Sequence, residues 1–196
     1  MLIVLILFIA SYLAGSISGA IVLARIQGLP DPRTQGSGNA GATNMLRTGG
    51  KKNAILVLLF DALKGVVMVL LARVLGLHLS AQAICLLLVM VGHIYPVFFQ
   101  FKGGKGVATI CGGMLALLPT VGGLMILAWI GVLVVTRYAS LASIVAVMLA
   151  PIGCVVFGYQ FLLLFVVLAA LLVLFKHREN INRLLEGRES KVNLSW

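Results

Sequence analysis

Acidic side chains are nearly missing from this chain. Asp and Glu together number five among 196 residues, and charged residues of both signs reach only 10%. A water-soluble domain carries about a quarter charged residues, so this scarcity excludes an ordinary soluble fold. With 61% hydrophobic residues, the composition is that of an integral membrane protein. Cysteine is equally sparse. Cys85, Cys111 and Cys154 lie far apart in or beside apolar runs, which supports neither a CxxC metal site nor a disulfide framework; they read as small buried residues. GxSxG and HExxH are absent and no cysteine has a plausible activating base, which leaves covalent and zinc mechanisms with little support. Residues 1–24 contain no charge. They therefore lack the basic start of a signal peptide and are expected to be retained as the first membrane helix.

The charge that is present is mostly positive, with a formal net value of +10. So apolar a chain has no room for a solvated basic face of the kind that binds nucleic acid. The excess instead sets membrane orientation and attracts anions.

Charge-poor runs occupy residues 1–24, 53–72, 74–101, 106–136 and 138–175. As single helices the last two would be about 47 and 57 Å long, against a hydrocarbon core of about 30 Å. Each is expected to fold back, at residues 119–123 and 158–160, where proline and glycine mark breaks. The expected architecture is one all-α domain over residues 1–196, with seven transmembrane helices, or five if the long runs are single tilted helices. In the seven-span arrangement with the N-terminus outside and the C-terminus cytoplasmic, all the basic residues except Arg73 and Lys64 fall in inner segments. The five-span arrangement moves Arg137 outside, so the positive-inside rule favours seven.

Three polar segments fall on the cytoplasmic side in either arrangement. The first, TQGSGNAGATNMLRTGGKK at residues 34–52, is rich in glycines that let backbone amides approach a ligand. Ser37, Asn39, Thr43 and Asn44 add donors, and Arg47 offers a guanidinium fork suited to phosphate. The second is GHIYPVFFQFKGGKGVAT at residues 92–109. Pro96 should disturb the end of one helix, and Gly103, Gly104 and Gly106 allow a tight turn before the next begins near Val107. Such a turn favours an anion at the helix N-terminus, and Lys102 and Lys105 reinforce that preference. It is not a Walker A loop, because no Ser or Thr follows the lysine. In the third segment, KHRENINRLLEGRESKVN at residues 176–193, His177, Asn180 and Arg183 recur every three residues. They are expected on one face of a short extension of the last helix.

Outside these segments, Asp61 and Lys64 are spaced to pair within the second span. His93 reads as a hydrogen-bonded structural histidine ahead of a ligand, and His78 has no expected catalytic role. Taken together, the three segments suit one or two phosphates beside an acyl chain, and so an intramembrane enzyme or carrier for an amphipathic phosphate.

SGNAGATNMLR (37–47), GHIYPVFFQFKGGKGVAT (92–109) and HRENINRLLEGRE (177–189) resemble, in order and spacing, the three signature motifs of the bacterial acyl-phosphate:glycerol-3-phosphate acyltransferases, the PlsY family. The resemblance implies an enzyme of the bacterial inner membrane, multi-pass, with its active site facing the cytoplasm. Its reaction would pass a fatty acyl group from acyl phosphate to the sn-1 hydroxyl of glycerol 3-phosphate, giving lysophosphatidate and phosphate for phospholipid synthesis, with no cofactor or metal. The expected partners are these two substrates and membrane lipid. In the expected assignment, Arg47, Lys105, His177 and Asn180 hold glycerol 3-phosphate with Ser37 nearby. Asn39, Thr43, Lys102 and the Gly103, Gly104 and Gly106 turn hold the acyl-phosphate head. The catalytic candidates are Lys105, His177 and Glu189: His177 or Glu189 as base, unless a substrate phosphate takes the proton, and Lys105 toward the carbonyl oxygen. Glu189 has a structural alternative, pairing with Arg183 or Arg188. Two other classes compete with the enzyme. A transporter or flippase would place its key charges near the membrane midplane rather than at one face, and a scaffold for lipid enzymes would need only the basic face.

Overall fold

The computed structural model describes residues 2–193; Met1 and the last three residues, whose sidedness the sequence assigns, lie outside them. No strand occurs among the described residues. The α-helices among the described residues are α1 (Leu2–Gly15), α2 (Gly19–Ile26), α3 (Ala42–Thr48), α4 (Gly50–Val74), α5 (Leu79–Ile94), α6 (Val107–Leu117), α7 (Pro119–Thr136), α8 (Ala139–Val156), α9 (Leu163–Lys176) and α10 (Arg178–Leu185). They divide into two compact units, Met1–Leu117 and Leu118–Trp196.

Four helices are long and apolar enough to cross a membrane, and six spans result if the bent pairs α1–α2 and α9–α10 each count as one. The remaining expected crossing corresponds to α6, which at eleven residues is about 16 Å long and shorter than the hydrocarbon core. Both long apolar runs break near the expected positions. The first breaks at Leu118, with Pro119 in the first turn of α7, where its missing N–H costs no hydrogen bond. The second breaks after Val156, where Gly158 takes φ +80°. The first span departs from the sequence reading. It is not one straight helix over residues 1–24 but bends by 51° between α1 and α2, with the Ser18 hydroxyl accepting from the Ile21 N–H to start α2.

In the first unit the helices meet through glycines. Lipid provides no hydrophobic force to push helices together, so close backbone approach at small residues supplies the packing. A Cβ on Gly15 would lie 2.1 Å from the Val89 carbonyl oxygen, and one on Gly92 would lie 2.2 Å from that of Tyr12, which fixes α1 against α5. Gly65 and Gly112 do the same for α4 and α6, where Cβ atoms would lie 2.4 Å from Thr109 O and 2.5 Å from Ala62 O. Arg73, at the end of α4, donates to the Ala116 and Leu117 carbonyls that end α6. Cys85 and Cys111 are buried in this unit.

In the second unit α7 packs on α8 and α8 on α9. Cys154 is buried, and Trp129 donates its indole N–H to the Ser143 hydroxyl at 3.2 Å. The expected extension of the last helix is instead a separate helix, α10, bent by 61° from α9 at His177.

Candidate active site

The first polar segment is organised by Asn44 and Arg33. Asn44 is 1% exposed. Its amide donates to the Pro32 and Gln35 carbonyls while its oxygen accepts the Ser37 N–H at 2.9 Å. It is thus committed to holding the loop, which removes it from the donors expected to face a ligand. Arg33 grips the Asp31 carboxylate through Nε and Nη2 and donates from Nη1 to the Phe99 carbonyl at 3.0 Å. The Arg33 hydrogen bonds hold the Asp31 carboxyl below its ordinary pKa. One turn apart on α3, Thr43 and Arg47 share a face. Arg47 also lines a pocket of about 230 Å³ with Gln35 and Thr48 over Leu29, Pro30 and Met45.

The second segment comes to the first. Arg33 reaches Phe99, the Arg25 guanidinium lies 5.3 Å from the Phe99 ring centroid, and a Cβ on Gly104 would lie 3.0 Å from the Ala40 carbonyl oxygen. α5 ends at Ile94 just before Pro96, and α6 begins at Val107, as the sequence leads one to expect. The glycines between them have a different use from the expected one. Gly103 and Gly104 donate their N–H groups to the carbonyls of Ile94 (3.3 Å) and His93 (3.1 Å). They lie so close to the end of α5 that Cβ atoms would stand 2.0 Å from His93 O and 2.1 Å from His93 Nε2. Gly106, by contrast, is required by its φ of +85°. The first turn of α6 contributes further amides that have no partner in the helix ladder. There the Thr109 hydroxyl is fully buried and has no hydrogen-bond partner among the described residues. Lys102 is exposed and Lys105 partly buried.

Beneath this turn lies a cluster that the sequence reading assembled only in part. Asp61 and Lys64 pair at 2.9 Å, as expected. His93 joins them, its Nδ1 standing 2.7 Å from Lys64 Nζ and 3.5 Å from Asp61 Oδ1. Lys64 also donates to the Gly15 and Ile17 carbonyls, at 3.1 and 3.2 Å. These carbonyls lie at the break between α1 and α2.

In the second unit, Asn180 and Glu189 come together, while His177 stands at the bend between α9 and α10. His177 is 3% exposed and bonds through Nδ1 to the Val173 carbonyl at 2.8 Å. That hydrogen bond makes Nδ1 the donor and leaves Nε2 as the acceptor nitrogen. Glu189 folds back through the Gly187 turn. Its Oε1 accepts from Ser140 Oγ (2.7 Å) and Asn180 Nδ2 (2.6 Å), and its Oε2 from Arg183 Nε (2.7 Å). Arg188 pairs with Glu186 instead. Burial acts to raise the Glu189 pKa, but the bonds from Arg183, Asn180 and Ser140 outweigh it and hold the carboxyl below its ordinary value. A carboxylate satisfied in this way is a poor base and a good anchor, the geometry of the structural alternative.

The linkage has a definite sign. A depressed folded-state pKa contributes stability above the unfolded glutamate value, about 4.3, and that contribution is lost as pH falls through the folded value. Removing the carboxylate with Glu189→Gln is therefore expected to lower the detergent-solubilised Tm at pH 7, with the gap from the parent chain closing as the pH is taken well below 4. A gap that persists unchanged at low pH would show that the charge is not what matters. Ser140, the third donor, has no sequence signal, since it lies some fifty residues away on an otherwise apolar helix.

The fold and these clusters define a helical membrane protein that gathers phosphate-type donors into its polar loops. The chain belongs to the glycerol-3-phosphate acyltransferase family, whose description matches residues 5–187. It is 48% identical over 185 residues to the glycerol-3-phosphate acyltransferase of Shewanella woodyi, covering 94% of this chain and 91% of that one. It is 47% identical over 186 residues to the Coxiella burnetii enzyme, covering 95% and 96%. Among solved structures it is similar to PlsY, an integral membrane glycerol 3-phosphate acyltransferase, in its glycerol 3-phosphate form, with TM-score 0.92 and 44% identity over 97% of this chain and 96% of that one. The lysophosphatidic acid form of PlsY matches with TM-score 0.89 and 42% identity, covering 97% and 95%.

Proposed function

We propose that this chain, acting as one domain in the bacterial inner membrane, transfers a fatty acyl group from acyl phosphate to the sn-1 hydroxyl of glycerol 3-phosphate. The observation that carries the reading is its likeness, over nearly the whole chain, to a relative solved in a glycerol 3-phosphate form. The hydroxyl oxygen attacks the acyl carbonyl carbon, the bond from that carbon to the phosphate oxygen breaks, and the products are 1-acyl-glycerol 3-phosphate and inorganic phosphate. The hydroxyl proton passes to His177 or to the departing phosphate. Because acyl phosphate is already activated, positioning supplies much of the acceleration, and Lys105 stabilises charge developing on the carbonyl oxygen.

The residue roles proposed are those that the motifs suggest. Arg47, Lys105, His177 and Asn180 are ligands of glycerol 3-phosphate, with Ser37 beside them; Asn39, Thr43 and Lys102 serve the acyl phosphate. Gly103 and Gly104 shape the turn, and Gly106 opens the helix start that receives a phosphate. The Glu189 contacts favour an organising role for that carboxylate. In the membrane we propose seven crossings, α6 being a short one, with the N-terminus outside and the motifs facing the cytoplasm, an arrangement supported by the distribution of basic residues.

The test is direct. Purified chain in detergent, given palmitoyl phosphate and glycerol 3-phosphate alone, is expected to release phosphate and form lysophosphatidate in equal amounts. A folded preparation that forms neither product would leave the transporter reading in possession of the field.

A further inference from the structure

We propose that the buried Asp61–Lys64–His93 cluster positions the phosphate-binding turn, so that a charge cluster in the helical core determines how tightly the acyl donor is held. Three observations carry this.

First, the turn is tied to the end of α5 at Gly103 and Gly104. Both donate to the last carbonyls of α5, and Gly104 rests against the edge of the His93 ring. A shift of the ring would therefore press directly on Gly104.

Second, the ring is held from the opposite side by α4. The Lys64 ammonium has three N–H donors, and it faces four acceptors within 3.2 Å: His93 Nδ1, Asp61 Oδ1, Gly15 O and Ile17 O. The ring thus has Nδ1 facing Lys64 and Asp61 and Nε2 next to Gly104. The cluster is almost sealed, with Asp61, Lys64 and His93 at 2%, 8% and 4% exposure.

Third, a plain ion pair between Asp61 and Lys64 would satisfy both charges without the histidine. Buried pairs of this kind are weak evidence of stability, since apolar residues of similar volume commonly do as well. What this cluster adds is a fixed imidazole at the base of the turn, joined to the bend of the first span. These are positioning residues, acting through the turn rather than on substrate.

This inference rests on the reading of the turn as the acyl-phosphate site, and the experiment separates the two. The parent chain, His93→Ala, His93→Gln and the double variant Asp61→Asn with Lys64→Met are purified in detergent and checked for a monodisperse profile. Two quantities are then read: deuterium uptake over residues 97–107, and separate KM values for palmitoyl phosphate and glycerol 3-phosphate. The expected result for His93→Ala and for the double variant is faster exchange in that segment. With it should come a rise of about tenfold in KM for palmitoyl phosphate and less than a twofold change in KM for glycerol 3-phosphate. His93→Gln, whose amide can still accept from Lys64, is expected to return within threefold of the parent. Wild-type exchange and wild-type donor KM in the folded variants would overturn the inference, as would an equal loss toward both substrates with a lowered Tm. Because the double variant leaves no unpaired buried charge, it provides the folded protein if His93→Ala does not. Should the parent chain not use palmitoyl phosphate at all, the proposed donor fails, and the exchange measurement alone decides the role of the cluster.

Discussion

Replacing Gly104 with alanine is expected to reduce acyl transfer by about a hundredfold, roughly 2.7 kcal/mol in the barrier. The added methyl would stand 2.1 Å from His93 Nε2 and 3.0 Å from the Ala40 carbonyl oxygen. Neither neighbour can move cheaply. The His93 ring is pinned by Lys64 at 2.7 Å, and Ala40 is fully buried main chain in the adjoining loop. Overpacking of this kind costs about 1–3 kcal/mol, and the relief available is for the turn to lift off α5, breaking the Gly103 and Gly104 hydrogen bonds. Gly123→Ala and Gly131→Ala are the controls, since a Cβ at either glycine meets nothing within 4 Å; both should retain the parent rate within twofold. Initial rates with palmitoyl phosphate and glycerol 3-phosphate, normalised to monodisperse protein, provide the comparison. A Gly104→Ala enzyme as fast as these controls would mean that the tight fit on α5 has no bearing on turnover.

Arg47→Ala and Lys105→Ala should each slow turnover at least tenfold, about 1.4 kcal/mol or more, while the folded yield stays that of the parent. Arg47 is exposed on the short helix α3 and is absent from the buried core, so its removal leaves no buried cavity. If Arg47 holds the phosphate of the acceptor, its loss should appear mainly in KM for glycerol 3-phosphate. If Lys105 meets charge that develops only in the transition state, its loss should appear in kcat. Parent-like constants for both variants would remove these residues from the site.

The sequence carried the class, the helical runs and the segments where polar chemistry gathers, because these depend on composition and on local breakers. Pro119 and Gly158 mark real breaks since each acts through its own backbone. The Asp61 and Lys64 pair was legible because three residues along a helix is a short distance. Other features depend on partners distant in sequence. His93 joins that pair across 29 residues, and Ser140 meets Glu189 across 49, so no spacing rule could couple them. The bend of the first span had a visible sign in GSISG, residues 15–19. The run around it was apolar enough to read as one straight helix all the same. At the FKGGKG turn the glycines mark a close approach, and the backbone they approach is that of α5; sequence shows that room is needed without showing for what. Asn180 and Arg183 do share a face of α10, both meeting Glu189, whereas His177 falls at the bend before that helix begins.

Lys64 reaches back 49 residues to the Gly15 carbonyl and 47 to that of Ile17. In lipid a main-chain carbonyl has no solvent to turn to, and a bend between two helices frees carbonyls that a straight helix would satisfy. The ammonium of Lys64 on α4 takes the place that water would hold at a helix end outside the membrane.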